Sequence, residues 1–214
     1  MLEKRNLNIY SHAGRLKLDT RKGVVSNQSG TRLVAVSEDF LRGFVAAIEN
    51  EVGPATKMLL RKCGFVFGER LARRFESEVS SYAGTSLTER PISEFGGLLL
   101  DLWVTYGYGD LQVDWKHGPS GFLPVRIVGS PMQDIGPKGH VSDDLFAGVL
   151  QGFFSHFIEP NIRVIQSGDV RLGSKDGTTF IITTDQHAKR VEQMVSDRTP
   201  HNQIVTRLQG GVGS

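Results

Sequence analysis

The sequence predicts an α+β fold, an antiparallel sheet covered on one face by about four helices. Three observations predict it. Amphipathic helical periods fill residues 37–105 and recur at 142–157, while period-two alternation begins at Leu111, Val113 and Trp115. The order is helices followed by strands, not strict strand-helix alternation.

Residues 1–36 read as a strand-turn extension. Arg15-Leu16-Lys17-Leu18-Asp19 alternates polar and apolar residues, Gly23 and Asn27-Gln28-Ser29-Gly30 turn the chain, and 31–36 is a second short strand. Ser37-Glu38-Asp39 opens the first helix with a capping hydroxyl and two acids. Its apolar stripe is Phe40, Leu41, Phe44, Val45 and Ile48, and Gly53-Pro54 ends it. A long second helix spans about 55–82 and a third about 91–106, the latter carrying Phe95, Leu98, Leu99, Leu102 and Trp103. Residues 111–116 and 123–128, separated by the His117-Gly118-Pro119 turn, have the pattern of an antiparallel hairpin with one face covered. A Gly- and Pro-rich loop at 129–141 leads to a fourth helix at 142–157, capped by Ser142-Asp143-Asp144. Two strands at 161–170 and 178–184 complete a body spanning 37–184. A short helix near 186–195 and a loose tail from Ser196 make up the remainder, 185–214.

Composition excludes several functions. A net charge of +2 leaves no nucleic-acid footprint. Arg70, Arg73 and Arg74, near Lys62, alternate with Glu69, Glu76 and Glu78 as on a solvated helix face. One cysteine rules out an intrachain disulfide framework and a Cys-rich zinc site. No apolar run is long enough for a transmembrane segment, and none near the N-terminus suits a signal peptide, so a soluble cytoplasmic protein is expected.

Glycine is the compositional outlier, 25 of 214 residues, about 12% against a usual ~7%. Two pairs sit four residues apart inside helical patterns, Gly64 with Gly68 and Gly148 with Gly152. Each glycine costs a helix roughly 1 kcal/mol against alanine, and a four-residue spacing puts both on one face. These notches mark where two helices cross, or where a ligand slips between them.

The pattern Leu60-x-Lys62-x-Gly64-Phe65-x-Phe67-Gly68-x-Arg70-Leu71-x-x-x-Phe75 resembles the Gly-aromatic-x-x-Gly-x-Arg-Leu signature of TRAPP-type transport-particle subunits. Leu145-Phe146-Ala147-Gly148-Val149-Leu150-Gln151-Gly152 is similar to the Gly-Val-Leu-x-Gly helix of that superfamily. Tyr106-Gly107-Tyr108-Gly109, the following strand pair and Glu159 are more like its prokaryotic branch, the 4-vinyl reductase domain. The resemblance implies a ligand-binding α+β module over 37–184, often dimeric, with an apolar cavity between helices and sheet. It implies a hydrophobic small molecule as ligand. A tetrapyrrole is foremost, a chlorophyll-type pigment or precursor bound in support of pigment biosynthesis or photosystem assembly. A scaffolding subunit acting through protein contacts and a sensory input module for an aromatic ligand are the alternatives. Family members with metal carry cysteines in a strand hairpin; the stretch 161–180 here has none, so no metal is expected. The acylated cysteine of some transport-particle subunits falls near Ala47, so acylation does not carry over.

The ligand-binding residues expected on this resemblance are Cys63, Phe67, Trp103, Tyr106, Tyr108, Trp115, His117, His140, Phe153 and Glu159. All but Phe67 and Phe153 have a second reading beside them. Cys63, beside Lys62, is a mildly activated thiol or, the favoured reading, a small hydrophobe in the wall of a packed helix. Trp103, Tyr106, Tyr108 and Trp115 are core packing or the lining of an aromatic pocket. His117 and His140 sit in expected loops, as axial tetrapyrrole ligands or polar contacts at a pocket mouth. Glu159 is a general acid or base if buried, or the ion-pair partner of Arg163. No catalytic residue stands out: the chain has no nucleophile elbow, no phosphate loop and no dinucleotide fingerprint.

Overall fold

The computed structural model describes residues 9–10, 16–27, 29–132, 135, 143–158, 161–169 and 177–210. Three short antiparallel strands, β1 (Lys17–Asp19), β2 (Val24–Ser26) and β3 (Arg32–Leu33), form a small N-terminal sheet in the order β1-β2-β3. The sequence suggests only two strands here; Val24-Val25-Ser26 pairs with both flanking segments and adds the middle one.

Helix α1 (Glu38–Val52) begins where Ser37 Oγ accepts the Phe40 N–H at 3.3 Å, and Gly53 ends it at φ 54°. Helix α2 (Thr56–Ala83) runs through both glycines without interruption. Its buried face, Thr56, Leu60, Gly64, Gly68, Leu71, Ala72, Phe75 and Val79, follows the spacing of one helical stripe. Gly84, at φ 69°, closes it by donating to Ser80 O at 2.9 Å. Helix α3 (Ile92–Thr105) ends at a tight return through Gly107 and Gly109. At Gly109 a Cβ would lie 2.6 Å from Val128 O, so only glycine lets strand and return approach this closely.

Strands β4 (Asp110–Val113), β5 (Phe122–Val128), β6 (Arg163–Gly168) and β7 (Thr178–Thr183) form the main sheet, fully antiparallel in the order β4-β5-β7-β6. The expected hairpin is present, with Leu111 opposite Ile127 and Val113 opposite Val125. Trp115, however, does not continue the alternation. The chain enters a 3-10 turn at Trp115–Ser120, where Gly118 and Pro119 do not suit a ladder. Between the strands lies α4 (Asp144–Phe157), whose cap is the Asp143 carboxylate accepting the Phe146 N–H at 3.2 Å. Ser142, the other expected capping residue, lies outside the described residues.

Successive strand residues point to opposite faces, and both faces are covered. Leu123, Val125 and Ile127 of β5 with Phe180 and Ile182 of β7 join a core shared with side chains of α1, α2, α3 and α4. Phe122 and Ile181 point the other way, onto Val191 and Met194 of α5 (Asp185–Ser196) and Ile204 and Leu208 of α6 (His201–Gln209). The loose tail expected from Ser196 is therefore corrected. Ile204 and Leu208 recur one turn apart, and the second face of the sheet gives them a surface on which to be buried.

Candidate functional site

The two glycine pairs meet. A Cβ on Gly64 would stand 2.1 Å from Leu145 O, and one on Gly68 would stand 2.2 Å from Val149 O. Reciprocally, Gly148 faces Arg61 O and Gly152 faces Phe65 O, each at 2.1 Å from such a Cβ. Partner numbers rise together along both helices, so α2 and α4 run parallel with backbone against backbone. The notches are filled by the other helix, which leaves no slot between them for a ligand.

The aromatic residues at the helix-to-sheet junction divide into two groups. Trp103 packs edge-on against Tyr108 at 5.4 Å and tilted against Phe146 at 5.6 Å, and its Nε1 donates to Tyr108 O at 3.0 Å. Tyr106 stacks on Tyr108 at 5.8 Å and carries the Arg74 guanidinium 5.2 Å above its ring; Phe67 meets Tyr108 edge-on at 6.2 Å. Burial pushes the Tyr108 hydroxyl up to about 12; the nearby Arg74 charge acts the other way, and Tyr106 adds to the rise.

Trp115 belongs to the second group. Helix α3 places Phe95 about 12 Å from Trp103 along its axis, and β4 runs back beside it, returning Trp115 to the Phe95 end. There the half-buried indole meets Phe95 edge-on at 5.7 Å and Phe154 at 6.0 Å. Phe157 packs on Phe95 at 5.1 Å and on Phe153 at 5.3 Å, and fully buried Phe75 touches Phe95, Phe153 and Phe157. Gly96 makes room beneath the indole, since a Cβ there would lie 2.8 Å from Trp115 Nε1. Only Trp115 and Phe157 of this group are partly exposed.

Cys63 and His117 do not converge on either group. Cys63 is exposed, one residue away from the buried stripe of α2, so its reading as a wall of the core is corrected. Buried His117 stacks on Phe122 at 4.9 Å and contacts Gln209 of α6, which puts it on the opposite face of the sheet from Trp103. Its Nε2 stands 3.3 Å from Asp114. Slight burial of Asp114 raises its pKa, but the Lys116 hydrogen bond and the Lys116 and His117 charges hold it below the ordinary value. His140 and Glu159 lie outside the described residues. Among the described residues no three His, Cys, Asp or Glu side chains gather as a metal site, and no helix is long and apolar enough to cross a membrane.

The sequence reading missed Phe95, Phe154 and Phe157 as partners of Trp115. Their helical spacing marks them as apolar face residues, and only the return of β4 beside α3 brings Trp115 to them. It also missed Glu78, which appears in the sequence as one charge in an alternating run. In the fold its side chain is 10% exposed and accepts Tyr10 OH at 3.0 Å, Ser29 Oγ at 2.9 Å and Asn27 Nδ2, pinning the N-terminal sheet to α2.

No family model matches this sequence, and no curated protein matches it significantly. Solved structures do match its fold. The phenol-responsive sensory domain of the transcription activator PoxR, solved with phenol, aligns at a TM-score of 0.66 and 14% identity, covering 94% of this chain and 100% of that one. A trafficking protein particle complex subunit 3 from Naegleria fowleri, covalently bound to palmitic acid, aligns at 0.50 and 15% identity over 68% of this chain and 91% of that one. A vinyl-4-reductase family protein from Methanocaldococcus jannaschii aligns at 0.47 and 17% identity, over 71% and 83%. The chain has the α+β fold shared by the sensory domain and the transport-particle subunit. At the level of fold this agrees with the resemblance carried by the four glycines.

Proposed function

We propose that this chain is a receptor module for a small aromatic molecule, bound at the group formed by Phe95, Trp115, Phe154 and Phe157. The observation that carries the reading is Trp115, a half-buried indole on a short turn, making edge and tilted ring contacts at 5.7 and 6.0 Å over a glycine. A ligand ring entering beside it would make the same contacts, each worth about 0.5–1.5 kcal/mol beyond area burial, and the indole N–H supplies a donor for a phenolic oxygen. Support comes from the sensory domain solved with phenol, whose full length this chain covers. A small ring suits the site better than a tetrapyrrole, because the α2–α4 seam is closed and the interior rings lie 5–6 Å apart. A cytoplasmic setting fits a chain whose one cysteine is exposed and free.

The test is a titration of the purified chain with phenol and, separately, a chlorophyll-type porphyrin. Trp103→Phe leaves Trp115 as the one fluorescent indole. Saturable quenching of Trp115 by phenol supports the reading; saturation with the porphyrin alone would replace it with the tetrapyrrole reading. Saturation with neither removes both.

A second reading, assembly through protein contacts, is favoured by Phe40 and Phe44. These rings stack at 6.4 Å on α1 yet remain 59% and 45% exposed, leaving that face without a partner among the described residues. The expected homodimer would cover it. Light scattering of the wild type and of Phe40→Ser/Phe44→Ser decides: a monomer in both removes this reading.

A further inference from the structure

A groove of about 430 Å³ runs between the turn joining β2 to β3 and the last third of α2, away from the Trp115 group. Its helical wall is the stripe Arg74, Ser77, Glu78, Ser81 and Tyr82, and Ile9 lies across from it. The two charges in the groove differ in state. Glu78 is committed: three neutral donors, Tyr10, Ser29 and Asn27, already share its carboxylate. Arg74 is not. Its Nε is buried, the nearest Glu78 oxygen is 4.0 Å away, and among the described residues nothing accepts a hydrogen bond from that Nε. The guanidinium carbon lies 5.2 Å from the Tyr106 ring centroid, a cation–π contact that uses none of its donors.

We propose that this groove is a second ligand site, one that takes a small monocarboxylate with an apolar body. Arg74 receives the carboxylate, since the guanidinium fork matches its two oxygens. The exposed hydroxyls of Ser77 and Ser81 donate at the rim, and Ile9 and the Tyr82 ring flank the hydrocarbon. The volume lies within the usual range for small-molecule sites, about 300–1,000 Å³. One cation beside the Glu78 charge favours a monoanion over a phosphate dianion, which Glu78 would repel. The bound molecule would bridge the N-terminal sheet to α2.

The test uses benzoate as probe, followed by calorimetry on the full chain, with benzamide as neutral isostere and inorganic phosphate as the competing anion. Saturable benzoate binding is expected, with benzamide weaker by about tenfold or more, as for loss of a charge-assisted pair. Arg74→Gln and Ser77→Leu are each expected to weaken benzoate by a similar factor. The second fills the groove from an exposed position and leaves Arg74 intact; far-UV circular dichroism checks that both fold. Equal affinity for benzamide, tighter binding of phosphate, full benzoate affinity in both folded variants, or no saturation in the millimolar range overturns the proposal. Displacement of benzoate by phenol also overturns it, because the ligand would then share the Trp115 site. Phenol quenching of Trp115 is read separately, so either site can fail alone.

Discussion

Replacing Gly152 with alanine puts a methyl carbon 2.1 Å from Phe65 O and 2.9 Å from Glu69 N. An ordinary carbon–oxygen contact needs more than 3 Å, so α2 and α4 have to separate by roughly 1 Å, enough to forfeit a quarter to a half of the dispersion well along the seam. Overpacking in a core that relaxes locally costs about 1–3 kcal/mol. Here both obstructing groups are backbone, which cannot rotate away, and the cost falls at or above the top of that range. Alanine's better helix propensity returns ~1 kcal/mol, for a net destabilisation of about 2–3 kcal/mol. The control is Gly97→Ala in α3, where a Cβ meets nothing within 4 Å; it should be neutral or stabilising by up to ~1 kcal/mol. Because one displacement relieves all four contacts, Gly64→Ala/Gly152→Ala should fall short of additivity by ~1 kcal/mol or more. Urea denaturation followed by tryptophan fluorescence measures these three and the Gly64→Ala single variant that completes the cycle. Equal midpoints for Gly152→Ala and Gly97→Ala would refute the reasoning, and strict additivity of the pair would refute the shared-seam part.

Three further outcomes are expected. Tyr108 stays neutral in the fold to about pH 12 while an unfolded tyrosine ionises near 10. Its contribution, about 2–3 kcal/mol, is therefore fully present below pH 10 and lost as pH rises towards 12. Near-ultraviolet phenolate titration should lose a step near pH 12 in Tyr108→Phe, and a Tyr108 step near pH 10 in the folded protein would contradict the burial argument. Cys63 should react stoichiometrically with a disulfide reagent in the native protein with no change in circular dichroism; protection until unfolding would restore it to the core. Leu208→Ala should cost about 2–4 kcal/mol as a large-to-small change in a packed site, measured by denaturant midpoint, whereas a loose tail would give none.

Periodicity is a local property, so the sequence by itself determined helices α1 to α5, the strand pair after Gly109 and the α+β order. The four glycines could be read as a crossing because nothing else explains two energetically costly notches at the same spacing. Position around an axis was less legible. Cys63 sits one residue from the buried stripe, about 100° away, and nothing local separates a cysteine inside the stripe from one beside it. Ile204 and Leu208 look like two isolated apolar residues until a sheet face needing cover is known to exist. The candidate sites were decided by tertiary structure alone. Trp115 reached Phe95 only because β4 returns along α3, and Glu78 met Tyr10 and Asn27 only because the N-terminal sheet docks on α2. A sequence records which residues favour burial or turning, whereas a binding site depends on distances between segments far apart in the chain, and those are set by which faces pack together.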